Sequence, residues 1–207
     1  MPQKGLFLTL EGIDGSGKST QIRQLSKALE DAGHPTLLTR EPGGSEGAEE
    51  IRRLLVEGAP DRWSAETEIL LFTAARRDHL ERTIRPALAR GDIVLCDRFI
   101  DSTRAYQGSG PLRETVEQLH TLMIAQDPDL TLVLDLDPED AFRRAGDRGA
   151  QEDRFEQNGL AFQQSLRNAF HQIAASDPSR VKLIDAYGTP DQVTLRLVTA
   201  VQDKIDG

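Results

Sequence analysis

The eight residues Gly12-Ile13-Asp14-Gly15-Ser16-Gly17-Lys18-Ser19 spell G-x-x-x-x-G-K-S. They follow the apolar run Leu6-Phe7-Leu8-Thr9-Leu10 and precede a stretch in which Ile22, Leu25 and Leu29 recur at helical spacing. Strand, glycine turn and helix form the setting in which this pattern cradles phosphate. The glycines let the backbone turn tightly and aim several N–H groups at one anion, at the positive end of the following helix. In that reading Gly12 to Thr20 wraps the phosphates of a nucleotide, Lys18 reaches the outer phosphates, and the Ser19 hydroxyl helps hold Mg²⁺. A chance glycine turn would have no reason to carry both the lysine and the hydroxyl.

Further groups capable of chemistry lie downstream. Asp97-Arg98 directly follows the apolar run Ile93-Val94-Leu95-Cys96. An acidic residue at such a strand end can hold Mg²⁺, directly or through water, and an arginine beside it can grip a phosphate with its planar fork. Phe72 and Arg76 are four apart and share a helical face, an arrangement that suits a nucleobase. On spacing alone the plainer reading keeps the edge, with Phe72 in the core and Arg76 solvated. Ser102-Thr103-Arg104-Ala105-Tyr106-Gln107-Gly108 reads as a polar segment whose hydroxyls, phenol and carboxamide could read a base edge. A helix N-cap at Ser102 competes with that reading, and composition does not decide between them. Arg143, Arg144, Arg148 and Arg154 surround the segment Gly146 to Asp153, which reads as a mobile surface loop. Those arginines fit either a closing lid that neutralises a transferring phosphoryl group or a solubilising loop balanced by Asp147, Glu152 and Asp153.

The elements that position these groups alternate along the chain. Strands are predicted at Leu6–Leu10, Pro35–Thr39, Ile93–Cys96, Leu130–Asp135 and Val181–Asp185. Helices are predicted at Ser19–Ala32, Ala48–Glu57, Ser64–Arg90 with a kink or division at Pro86, Arg113–Gln126, a short one opened by Pro138, Phe155–Ser176, and a last one from Asp191. Buried strands separated by helices imply an α/β fold, a five-stranded parallel sheet covered on both faces. Ligands of such sheets bind beyond the carboxyl ends of the strands, where Asp14, Arg40, Asp97, Arg98, Asp135 and Asp185 sit. At 207 residues the chain is expected to form a single domain over 1–207, with a short mobile lid at about 146–154. A net charge of −9 argues against a nucleic-acid surface. The single cysteine, Cys96, reads as a core thiol in a reducing compartment. No signal peptide or membrane-length apolar run is evident, and the expected location is cytoplasmic.

Several separated blocks resemble thymidylate kinases of the bacterial type. They are Glu11 to Thr20, Thr39-Arg40-Glu41-Pro42-Gly43-Gly44, Leu71-Phe72-Thr73-Ala74-Ala75-Arg76, Asp97-Arg98-Phe99, Ala105-Tyr106-Gln107-Gly108 and Asp153-Arg154-Phe155-Glu156. The phosphate loop alone would fit many families; the later blocks make the resemblance specific. It implies a P-loop nucleotide kinase fold and transfer of the γ-phosphoryl group of ATP to dTMP, with Mg²⁺, by a homodimer that uses apolar surface between Ser64 and Arg90. It further implies that Phe72 stacks on thymine, that Arg76 bonds the base edge with help from Ser102 and Gln107, and that Tyr106 packs against the deoxyribose. Asp14 would contact the 3′-hydroxyl region, Arg98 and Arg40 would hold the acceptor phosphate, and Arg144 would lie against adenine. Some relatives carry a catalytic arginine where this chain has Gly15. This chain therefore resembles the subgroup that supplies the charge from the lid, through Arg148 or Arg154, alongside Lys18. The alternatives are a P-loop kinase for another small acceptor, or a GTPase-like switch. The switch lacks an N-K-x-D motif, and its D-x-x-G, Asp185 to Gly188, follows the last strand, the wrong place for a γ-phosphate sensor.

Overall fold

In the computed structural model, residues 5–59, 61–108, 110–146 and 159–205 are described. Five strands, β1 (Leu6–Glu11), β2 (Thr36–Arg40), β3 (Ile93–Asp97), β4 (Leu130–Asp135) and β5 (Val181–Asp185), form one parallel sheet in the order β2-β3-β1-β4-β5. β1 is central: Leu8 pairs with Leu95 of β3 on one side and with Leu130 of β4 on the other. The chain then leaves β1 to build one half of the sheet and returns to build the other. The crevice this creates lies at the end of β1, where the phosphate loop begins.

Side chains alternate across the sheet and divide the interior in two. Leu8, Leu10, Ile93, Leu95 and Leu132 face α1 (Lys18–Asp31) and the later helices, where Ile22, Leu25, Leu166, Phe170, Val193 and Leu197 complete one core. Phe7, Val94 and Cys96 face the other way, onto Ile69, Leu80, Ile84 and Phe99. The thiol of Cys96 is wholly buried, and burial pushes its pKa well above the ordinary value. Both faces are covered, which is why the strands read as continuous apolar runs.

α2 (Glu46–Val56) and α3 (Ala65–His79) follow β2. Ser64 caps α3 as expected, its Oγ accepting from Thr67 N at 3.2 Å. The helix expected to run to Arg90 is divided. A π-helical turn at Leu80–Ile84 leads into α4 (Arg85–Arg90), whose first turn contains Pro86. Proline offers no N–H and crowds the carbonyl four residues back, and the wider turn accommodates both. The helix expected at Arg113–Gln126 ends in the same manner, α6 (Leu112–Leu119) passing into a π turn at His120–Ile124.

The polar segment after Asp97 is itself a helix, α5 (Ile100–Tyr106). Its buried face is Ile100, Asp101, Thr103 and Ala105, only half of it apolar, so periodicity gives little sign of it. Asp101 is tolerated there because Arg180 and Arg104 donate to its carboxylate at 2.6 to 3.0 Å. α7 (Pro138–Gly146), α8 (Gly159–Ser176) and α9 (Pro190–Ile205) complete the fold. Residues 155–158, expected to begin α8, lie outside the described residues. Among the described residues no helix is long and apolar enough to cross a membrane.

Candidate active site

The loop after β1 delivers its backbone to the N-terminus of α1. Gly17 is left-handed at the cap (φ 102°), and no side chain caps the helix, which leaves the first-turn N–H groups to an anion. Lys18 folds over the loop, its Nζ donating to the carbonyls of Gly12 (3.0 Å) and Ile13 (2.9 Å). Burial, with Arg98 nearby, pushes the Lys18 ammonium down to about 8 against the pull of Asp14, Asp97 and Glu11. A polyphosphate would restore the favourable field that burial removes. Ser19 Oγ donates to Asp97 Oδ2 at 3.5 Å, joining the loop to the end of β3. Asp97 Oδ1 and Ser16 Oγ are buried without a hydrogen-bond partner among the described residues. The Asp97 carboxylate, with one oxygen unpartnered, and the neighbouring Ser19 hydroxyl are the hard oxygen donors that suit Mg²⁺, so Ser19 and Asp97 fit the metal role expected of them.

Beside the loop lies a cavity of about 330 Å³, walled by Phe72, Arg76, Thr103, Tyr106 and Gln107, with Asp14, Arg40 and Arg98 at the phosphate end. Phe72 lines this space and is absent from both cores. Arg76 is only 2% exposed, so the solvated reading of that side chain is overturned. Its Nε donates to Glu41 Oε2 at 2.7 Å and its Nη2 to Thr103 Oγ1 at 3.1 Å. His79 Nδ1 lies 3.2 Å from the other Glu41 oxygen. The helical spacing was correct; what it lacked was the buried carboxylate that lets a guanidinium sit inside. Gln107 Nε2 donates to Glu68 at 3.4 Å from the same wall.

Arg98 occupies the left-handed region (φ 69°), a strained conformation for a residue with a side chain. Its Nη2 donates to Asp14 Oδ1 at 2.5 Å and its Nη1 to Ser102 Oγ at 3.2 Å. Burial works against both charges. For Asp14 the pull of Arg98 and Lys18 outweighs it and lowers the pKa; for Arg98 the surrounding Tyr106, Asp14, Asp97 and Glu11 raise it. Tyr106 donates to the other Asp14 oxygen at 3.4 Å. Ser102 is not the N-cap of α5: Phe99 holds that position, and the Ser102 hydroxyl donates to Glu11 at 2.6 Å. Arg40 reaches the cavity mouth but is held by Glu49 at 3.0 and 3.2 Å.

The structure brings in residues to which the sequence assigned no role. Glu11 and Glu41 stood in quoted blocks without one, and Thr103, whose hydroxyl was read with its neighbours as able to meet a base edge, instead accepts from Arg76. Gln163 of α8, whose Nε2 donates to Asp14 Oδ2 at 3.2 Å, is 149 positions away and gave no signal. Arg144 lies on α7 and donates to the Ala186 carbonyl at 3.2 Å, beside β5 and away from the cavity. Gly15 is left-handed (φ 77°), and a Cβ there would come within 2.3 Å of the Ala141 carbonyl oxygen. The close approach of α7 leaves no room for an arginine at this position. Arg148 and Arg154 lie outside the described residues.

Comparison with known proteins agrees with this geometry. The family model described as "Thymidylate kinase" matches residues 10–196. Among curated proteins, a thymidylate kinase of Ruegeria pomeroyi is 62% identical over 93% of this chain and 92% of its own, and one of Jannaschia sp. is 60% identical over 97% of each. A crystal structure of thymidylate kinase from Ehrlichia chaffeensis superposes with a TM-score of 0.75 at 33% identity, covering 96% of this chain and 99% of that one. With the phosphate loop, the Asp97-Arg98 turn and the walled cavity all assembled within the matched span, this chain belongs to the thymidylate kinase family.

Proposed function

We infer that the protein phosphorylates dTMP to dTDP, taking the γ-phosphoryl group of ATP by direct in-line transfer. The observation that carries this reading is the Arg98–Asp14 contact, which joins a phosphate cradle to a cavity with an aromatic wall and a buried arginine. ATP lies along Gly12 to Thr20, with Arg144 on the adenine side. The acceptor lies in the cavity, with Phe72 on the thymine face and Arg76 and Gln107 at its edge. Tyr106 lies against the deoxyribose, and Asp14 at its 3′-hydroxyl. Arg98, with Arg40 at the mouth, holds the acceptor phosphate and keeps its oxygen aimed at the γ-phosphorus. Lys18 and Arg98 bear the charge that spreads over the equatorial oxygens, joined by Arg148 or Arg154 from the lid. Ser19 and Asp97 would hold Mg²⁺, which would supply positive charge against the phosphates of ATP.

One domain over 1–207 carries this chemistry; the lid expected at about 146–154 lies, from 147 onward, outside the described residues. A homodimer is part of the proposal, supported by exposed Leu70 on α3 and exposed Leu122 and Met123 on the π turn packed against it. Cytoplasmic residence is supported by a single, buried cysteine. The test is ADP release with each nucleoside monophosphate in turn. Turnover with dTMP well above all others is expected; equal turnover of dCMP or AMP would sink the thymidylate assignment.

A further inference from the structure

Glu11 is wholly buried at the end of β1, one residue before the phosphate loop, and no step of the transfer uses it. Its Oε1 accepts from the backbone N–H groups of Phe99 (2.7 Å) and Ser102 (3.1 Å). Its Oε2 accepts from the Ser102 hydroxyl (2.6 Å). Three donors therefore converge on one carboxylate of β1, and all lie within four residues after the strained Arg98. Because Ser102 Oγ gives its proton to Glu11, its lone pairs face Arg98 Nη1 at 3.2 Å, and the other arm of that guanidinium reaches Asp14. α5 has no side-chain cap of its own, so Glu11 also supplies acceptors to its first turn.

We propose that Glu11 is a positioning residue for phosphoryl transfer, fixing the aim of Arg98 through Ser102. The inference rests on the kinase reading above and deepens it. Only the carboxylate can serve, since a carboxylic acid or carboxamide would turn a donor toward Ser102 Oγ and leave its O–H without an acceptor. Burial pushes the Glu11 carboxyl up to about 7 against the pull of Arg98, with Asp101 adding to the rise. The other groups that sense its charge are Lys18 of α1, Cys96 of β3 and Tyr106 of α5. Above about pH 7 the fold thus carries an ionised carboxylate at a cost to its own stability. A purely structural residue would relieve that cost, and a positioning residue has reason to keep it.

The experiment compares wild type, Glu11→Gln and Ser102→Ala in ADP release with dTMP and ATP from pH 5.5 to 9, with thermal midpoints at pH 8. Wild-type turnover of dTMP is read first; its failure sinks the kinase reading itself and is thereby distinguished from failure of this proposal. For Glu11→Gln, kcat is expected to fall 10-fold or more at pH 8, with KM for ATP unchanged and a midpoint no lower than wild type. The titration of the dTMP phosphate is common to all three proteins and cancels in the ratio of their kcat/KM profiles. The ratio of wild type to variant is expected to shrink toward one as pH falls below about 7, because protonated Glu11 already lacks the function the variant lacks. A kcat within twofold of wild type, or a loss that is the same at every pH, would overturn the proposal. If Glu11→Gln does not fold, Ser102→Ala decides by the same ratio, since it cuts the link and leaves both backbone contacts of Glu11 in place.

Discussion

Arg98 Nη2 lies 2.5 Å from Asp14 Oδ1, joining the turn after β3 to the phosphate loop after β1. The phosphate loop and the wall of the neighbouring cavity therefore share one charge pair, and Ser102 holds the second arm of the same fork. A lysine would keep the charge and lose the fork. Arg98→Lys is expected to lower kcat by about 100-fold or more, the usual effect of removing one aimed donor from a transition state. Steady-state kinetics with dTMP varied at saturating ATP check this; a change in KM alone would make Arg98 a binding group only.

Gly15 has no room for a side chain beneath the Ala141 carbonyl and sits at positive φ. Gly15→Ala is expected to destabilise the fold by about 1–3 kcal/mol through backbone strain, and more if α7 must shift. Urea denaturation measures the loss. A Gly15→Arg protein as stable and active as wild type would show that α7 is free to move away.

Arg76 and Glu41 form an ion pair in which both side chains are nearly inaccessible. Removing one partner strands the other charge, at a typical cost of about 3–5 kcal/mol. Glu41→Ala should therefore be strongly destabilising, while Glu41→Gln should fold and raise KM for dTMP by releasing Arg76 from its orientation. A double-mutant cycle with Arg76→Met reads the coupling; additive effects would contradict it.

Asp127 accepts from His120 at 3.2 Å and lies 3.3 Å from Arg104. The His120 hydrogen bond is the largest influence holding its carboxyl down to about 2, below the ordinary 3.8. Because the folded pKa lies below the unfolded one, this contribution is complete above about pH 4 and lost as pH falls through about 2. Urea midpoints of wild type and His120→Gln should converge between pH 4 and pH 2. Curves that stay parallel over that interval would remove Asp127 as the cause.

Leu70 and Leu122 are 57% and 74% exposed on two elements that pack together, α3 and the π turn after α6. Leu70→Lys with Leu122→Lys is expected to convert a dimer to a monomer in sedimentation velocity. A wild-type monomer, or a dimer that survives both charges, would exclude this face.

The sequence by itself determined the phosphate loop, the five strands and the two-faced sheet, because each rests on local pattern. Glycine spacing sets the loop, and continuous apolar runs mark strands buried on both sides. It also carried the family, through blocks scattered along the chain. Tertiary structure decided which polar groups could be buried. Arg76 reads as a surface residue until Glu41, 35 positions away, supplies its counter-charge. α5 is hidden because its buried face includes Asp101, made tolerable by Arg180 from 79 positions away. Glu11, at the end of β1, is buried because its three donors come from some 90 residues along the chain. Burial of charge depends on partners that only the fold brings together, and no local window of sequence contains both halves of such a pair.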